Sequence, residues 1–265
     1  MESITLGQYE IIYNALSFTI ATMGAATLFF WLVRETVAPQ YRTALIISGL
    51  VTFIAAYHYW RMFDSWSGAF VVDATAGTIA RSGEKFNDAY RYVDWLLTVP
   101  LLLVEMILVM GLTRAVTISK SVRLGTLAAL MVALGYPGEV ATDSGTRLLW
   151  GGLSVIPFLF ILYELFVGLR ASINSQPEQA RGLVSLAIWV TVVSWCFYPI
   201  VYFAPLLFGP ENANISTMSG SAAVTVQVGY TIADIVAKAG FGVLIFLIAS
   251  AKSEDWRNSN IARDA

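Results

Sequence analysis

Charged side chains are scarce in this chain: Asp, Glu, Lys and Arg make up 13% of its 265 residues. Soluble domains carry roughly 25%, so the shortage excludes an ordinary water-soluble domain. Cysteine is nearly absent. The single Cys196 excludes an intrachain disulfide, and its apolar setting reads as a core thiol. The formal net charge of −2 gives no reason to expect a nucleic-acid partner. Histidine occurs once, as His58, and no metal site is expected. The start Met1-Glu-Ser-Ile-Thr lacks a basic n-region, so no cleaved secretory signal is expected and the first apolar segment reads as a true span.

What the chain has instead is apolar length. It is 57% hydrophobic with a mean hydropathy of +0.67. Seven segments reach membrane length, near 6–34, 41–63, 86–112, 122–140, 146–170, 182–207 and 222–251. None alternates in the short blocks of a β-barrel strand. The expectation is an all-α, seven-transmembrane-helix bundle forming one domain over 1–265. Connections are short except the second and the sixth, which hold the polar stretches Asp73–Asp88 and Gly209–Gly220.

Threading seven helices puts Arg34, Arg42, Arg114, Lys120, Arg123, Arg170, Arg181, Lys252, Arg257 and Arg263 on one side. Arg61, Arg81, Lys85, Arg91 and Arg147 fall at or near the other. Ten against five predicts an outside N-terminus and a cytoplasmic C-terminus. The sixteenth basic residue, Lys238, lies inside the last apolar segment.

Lys238 is the residue that most needs a reason. A charge at the centre of a membrane helix costs roughly 2.5–3.5 kcal/mol on insertion scales, so it is kept for a task and has a partner. An amine in apolar surroundings is also the group that condenses with carbonyl compounds. Asp234 precedes it by one helical turn. That spacing also suits an ordinary intrahelical ion pair, although burial in a membrane penalises such a pair.

The third segment supplies further acids in Arg91-Tyr-Val-Asp-Trp-Leu-Leu-Thr-Val-Pro-Leu-Leu-Leu-Val-Glu105. At about 100° per residue, Arg91, Asp94, Thr98 and Glu105 share one stripe. Asp94 and Glu105 are about 16 Å apart along the axis. That is too far for a shared-proton dyad and suits two stations on a path across the bilayer. Asp94, beside Arg91 and across from Lys238, reads as a counterion. Glu105, among Leu102, Val104 and Leu108, reads as a protonated reserve. The plainer reading makes Arg91–Asp94 a structural pair and Pro100 a kink.

At these residues the chain resembles the microbial rhodopsins, seven-helix retinal proteins. The motif from Arg91 to Leu102 resembles their third-helix signature. Asp234 and Lys238 resemble their seventh-helix counterion and retinal lysine. Trp195-Cys-Phe-Tyr-Pro-Ile-Val-Tyr202 resembles the sixth-helix segment that lines the retinal ring. The resemblance covers essentially the whole chain. It implies all-trans retinal on Lys238 as a protonated Schiff base, with Asp94 and Asp234 as counterions. Trp95, Trp195, Tyr198 and Tyr202 would form the aromatic pocket; their plain alternative is core packing.

Asp94, Thr98 and Glu105 together resemble the proteorhodopsin and xanthorhodopsin type of outward proton pump, with Asp94 as acceptor and Glu105 as donor. Such a protein is a transporter rather than an enzyme. Sodium pumps would show Asn, Asp and Gln at these places, and chloride pumps usually lack the acid at 94. Photosensors that signal through a partner often lack the acid at 105. Thr98 is expected to bond Asp94 or link it to the base, and Arg91 to influence release. Glu84, Asp88, Glu139 and Glu211 stand as release candidates, each also readable as a solvated loop acid.

His58 either bonds a neighbouring backbone carbonyl or, by resemblance, pairs with Asp94. Leucine at Leu102 implies green absorption where glutamine would imply blue. Gly151 aligns with a glycine that, in the xanthorhodopsin branch, opens a window for a carotenoid antenna; close helix packing is its plain alternative. The resemblance further implies a homo-oligomer, pentamer or trimer, in lipid, as a multi-pass protein of a prokaryotic plasma or inner membrane.

Overall fold

The structure is a computed structural model that describes residues 4–73, 75–209, 214 and 218–264. Among the described residues, seven helices are long and apolar enough to cross a membrane. They are α1 (Leu6–Thr36), α2 (Pro39–Gly68), α3 (Ala89–Val109), α4 (Arg114–Glu139), α5 (Ser144–Asn174), α6 (Glu178–Phe208) and α7 (Gly220–Ser259). Each packs on its neighbours in sequence, and α7 returns to α1, α2 and α3, so the bundle closes into a ring.

Local chemistry sets the helix ends. Thr5 and Gln8 form a reciprocal capping box that starts α1. The Asp143 side chain accepts the Thr146 N–H at the start of α5, and Ser219 accepts that of Ala222 at the start of α7. Gly111, with φ +67°, turns the chain out of α3 in a conformation that other residues rarely adopt. Pro100, Pro137, Pro157 and Pro199 sit inside α3 to α6 and each withholds one backbone donor.

The long second connection contains a hairpin that the polar composition did not reveal. Strands β1 (Phe70–Asp73) and β2 (Thr78–Arg81) pair antiparallel, with Phe70 opposite Arg81. Asp73 Oδ1 accepts the N–H groups of Thr75 and Ala76 at 3.0 Å, which shapes the turn. Phe70 anchors the hairpin against Trp66 and Tyr9.

Polarity runs inside out. Phe18, Leu32, Leu149 and Val193 are each more than 60% exposed on the outer faces, while Arg91, Asp94, Glu105, Arg147 and Asp234 are fully buried. A lipid-facing surface with its charges turned inward is what a bilayer demands. Cys196 departs from expectation. It is exposed on the outer face of α6, about 100° round the helix from the buried Trp195, and is not a core thiol.

Candidate functional site

The interior of the bundle holds a cavity lined mostly by apolar and aromatic side chains, as small-molecule sites are. Trp95, Val99 and Leu102 of α3 line one side, Gly151, Val155 and Phe158 of α5 another. Trp195, Tyr198 and Tyr202 of α6 close it, and Lys238 of α7 lies at its wall. Of the residues expected to form an aromatic pocket, all four line this space. Apart from Gly151, sequence reasoning missed the α4 and α5 wall, because Met131, Val132, Val155 and Phe158 look like any membrane-helix residues.

Lys238 lies in a widened turn of α7, Ile235–Gly240, with five-residue hydrogen-bond spacing. Such bulges recur at functional sites because they re-aim a side chain within a helix. The Lys238 ammonium is 1% exposed and pairs with both acids: Asp94 Oδ2 across the bundle, and Asp234 Oδ2 at 3.0 Å.

The two carboxylates are held very differently. Asp234 accepts the Tyr198 hydroxyl at 2.5 Å, the Tyr59 hydroxyl at 2.9 Å and the Trp95 indole N–H at 3.0 Å. Asp94 has the Lys238 ammonium on Oδ2, while its buried Oδ1 has no hydrogen-bond partner among the described residues. Thr98 does not reach that carboxylate: its hydroxyl donates to the main-chain carbonyl of Asp94 at 2.8 Å. His58 does not hydrogen-bond it either. Its Nδ1 lies 2.9 Å from the Ile54 carbonyl one turn back, the plainer of the two expectations. Tyr59, the residue after it, turned out to touch the site.

Arg91 is fully buried. It donates to Asp88 at 3.3 Å, to the Tyr59 hydroxyl at 3.2 Å and to Gln227, and lies over the Tyr230 ring. Gln227 also donates to Asp88 at 3.3 Å. Asp88 is therefore not a solvated loop acid. Nor is Glu139, which pairs with buried Arg147 at 3.1 Å. Glu84 is exposed, and Glu211 lies outside the described residues.

Glu105 stands apart from all of these. It is fully buried, and one oxygen accepts the Ser48 hydroxyl of α2 at 2.7 Å; the other has no hydrogen-bond partner among the described residues. A serine in an apolar helix carries no signal of such a role, so Ser48 was not legible beforehand.

Gly151 lies against aromatic rings. A Cβ there would approach Tyr202 to 2.6 Å and Phe203 to 2.7 Å, whereas at Gly152 it would meet nothing within 4 Å. The first glycine makes room for the cavity's own wall, and the second leaves the outer surface bare.

A family model described as bacteriorhodopsin-like protein matches residues 12–252. The chain belongs to that family. This rhodopsin is 29% identical over 248 residues to the green-light absorbing proteorhodopsin of Gamma-proteobacterium EBAC31A08, covering 92% of this chain and 89% of the relative. It is 31% identical over 242 residues to the blue-light absorbing proteorhodopsin of Gamma-proteobacterium Hot 75m4, covering 90% and 87%. Among solved structures it resembles xanthorhodopsin, described as a light-driven ion pump with dual chromophore, at 49% identity and a TM-score of 0.87. That likeness covers 95% of this chain and 97% of the other. A thermophilic rhodopsin matches over the same shares at 46% identity and a TM-score of 0.87. The chain is a microbial rhodopsin of the proteorhodopsin and xanthorhodopsin type, a multi-pass protein of the cell membrane.

Proposed function

We propose that this rhodopsin is a light-driven outward proton pump. The observation that carries the reading is the unequal hydrogen bonding of the two acids at Lys238. The apolar, aromatic-walled cavity reaching Lys238 fits all-trans retinal joined to Nζ, with Trp95, Leu102, Trp195, Tyr198 and Tyr202 around it. When bound, retinal supplies light absorption and an isomerisation that changes what Nζ faces.

The rest falls to the protein's own groups. Hydrogen bonds to a carboxylate favour its charged form, and those to ions are roughly twice as strong as neutral ones. Asp234, with three donors besides Lys238, stays the anion. Asp94 has no other donor to lose, so it takes the proton that leaves Nζ. Glu105, buried without a cation, holds a proton at rest and returns it to Nζ from the other side. Thr98 fixes the α3 backbone at Asp94. Arg91, bridging Asp88, Gln227 and Tyr59, shapes the way out. The excess of basic residues at the α7 end makes that side cytoplasmic, so transport is outward.

A photosensor would share the cavity, and a sodium or chloride pump the fold. The sealed Glu105 with its Ser48 bond favours proton transport over these. The test is the pH change on illuminating unbuffered cells that express the chain with all-trans retinal. Acidification abolished by a protonophore is expected. Alkalinisation that a protonophore leaves or enlarges would mean another ion is moved, and no change despite a visible band would mean a sensor.

A second reading adds a carotenoid antenna. The glycine pair supports it, since α5 has no side chain at 151 on the cavity wall or at 152 on the outer face. An action spectrum with an added carotenoid band would bear it out, and one without that band would not. As in the family, we propose assembly of a pentamer or trimer, to be read from the mass of the detergent-solubilised protein.

A further inference from the structure

Glu105 can give up a proton once per cycle only if it regains one, and the structure closes the way to it with an unusual lysine. Lys252 of α7 is 6% exposed, and among the described residues no carboxylate pairs with it. Its ammonium donates instead to three neutral acceptors: the carbonyls of Val109 at 3.0 Å and Met110 at 2.8 Å, and Gln176 Oε1 at 2.7 Å. That uses every N–H it has. The charge lies at the C-terminal end of α3, where the helix dipole favours a cation. It also lies 5.0 Å from the centre of the Tyr41 ring.

Gln176, between α5 and α6, is equally enclosed at 5% exposure. Its amide donates to Met110 O at 3.1 Å and to Ser172 O at 2.9 Å. One side-chain pair thus ties together α2, α3, α7 and the α5–α6 connection. Gly111 is part of the fit, since a Cβ there would lie 3.3 Å from the Lys252 nitrogen. Val109 and Met110 follow Glu105 by four and five residues, about 6–7.5 Å along the axis. Nothing wider than close-packed core separates the knot from the acid: Met106, Val109 and Ile248 are at most 1% exposed.

We propose that Lys252 and Gln176 form the closed gate of the half-channel leading to Glu105, with Lys252 a positioning residue that sets how fast Glu105 regains its proton. This rests on the reading of Glu105 as donor. The gate acts in two ways. The hydrogen-bonded knot excludes water from the path, and an uncompensated cation one to two turns from the acid repels a proton that approaches before the knot opens, as fixed cations do in selective pores. Opening requires α7 or the α5–α6 connection to leave the end of α3, which frees three acceptors at once.

The test uses the full chain with retinal in nanodiscs and a pH-indicator dye after a flash. Lys252→Met keeps the length of the side chain and removes its charge and donors. Proton uptake is expected to quicken at least tenfold, a change of about 1.4 kcal/mol in barrier, while proton release keeps its wild-type rate. Lys252→Arg, which can still donate to the same acceptors, should keep uptake slow. Gln176→Met serves as a second variant should Lys252→Met fail to fold, and it should also quicken uptake. Unchanged uptake in the folded methionine variants would overturn the gate. Glu105→Gln separates the two ideas: wild-type recovery of the visible band in that variant overturns the donor reading, while the gate is judged by the Lys252 and Gln176 variants alone.

Discussion

Replacing Ser48 with alanine tests the proposed donor role of Glu105, through a bond that can switch direction. The Ser48 hydroxyl lies 2.7 Å from Glu105 Oε2 and 3.2 Å from the Ala44 carbonyl, so its one hydrogen has two places to go. With Glu105 protonated, the acid can donate to Ser48 while Ser48 donates to Ala44. Once Glu105 has given its proton away, the hydroxyl turns to the carboxylate. A hydrogen bond to a charged group contributes about 1.5–3 kcal/mol and a neutral one about 0.5–1.5. The serine therefore favours the ionised acid by about 1 kcal/mol, and its loss raises the barrier to proton donation by up to that amount.

At RT of about 0.59 kcal/mol this is about a fivefold slower return of the proton to Lys238. The assay is recovery of the visible band after a flash, at a pH where uptake from the medium is not limiting. The resting band should not move, since Ser48 is absent from the cavity wall. Ser48→Ala recovering at the wild-type rate or faster would refute the assigned roles of both residues.

Lys238→Ala should give no visible band with all-trans retinal, and Asp94→Asn should keep a band but lose light-driven acidification; spectra and pH recordings of the same cells check both. Leu102→Gln puts a polar group on the cavity wall and should move the absorption maximum toward the blue. Gly138→Ala should lower the melting temperature, because its Cβ would overlap the Tyr202 hydroxyl and come within 3.1 Å of the Arg147 carbonyl that this hydroxyl bonds; overpacking of this kind costs about 1–3 kcal/mol. Asp143 is held below its ordinary carboxylate value by the Thr146 N–H. Its cap on α5 is thus intact at neutral pH and lost as pH falls through that lowered value, which amide exchange at Thr146 measured against pH would show.

The fold and the charged centre could be read in the sequence for one reason: a bilayer makes ionisable residues costly, so each one present marks a position. Lys238, Asp94, Asp234 and Glu105 stood out against apolar runs, and helical periodicity put Asp94 and Glu105 on one stripe. The hydrogen-bonding shell was not legible. Tyr59, Ser48 and Gln227 carry no charge to single them out, and which of them meets an acid depends on how two distant helices are rotated. The burial of Arg91 and Arg147 was hidden for a related reason. Proximity to a segment end does not say which way a side chain turns, and these guanidiniums pair with Asp88 and Glu139 inside the bundle. The β1–β2 hairpin escaped because its strands are only four residues each and mostly exposed.

On the proposed function, three buried carboxylates lie on or near one path, and the number of donors on each sets its work. Placing a proton on Asp234 would weaken bonds from Tyr59, Trp95 and Tyr198, each worth about 1.5–3 kcal/mol while the acid is charged. Even if half of that survives protonation, Asp234 is the poorer acceptor by a few kcal/mol, which is two or more powers of ten in occupancy. Asp94 gives up only its pairing with Lys238, and that pairing ends when the amine surrenders its proton. On the same proposal, one of these donors also links the site to the exit. Tyr59 bonds both Asp234 and Arg91, so a change of charge at Asp94 and Lys238 reaches Arg91 through one hydroxyl. Arg91 in turn bonds Asp88 and Gln227, which extends that link by two more side chains.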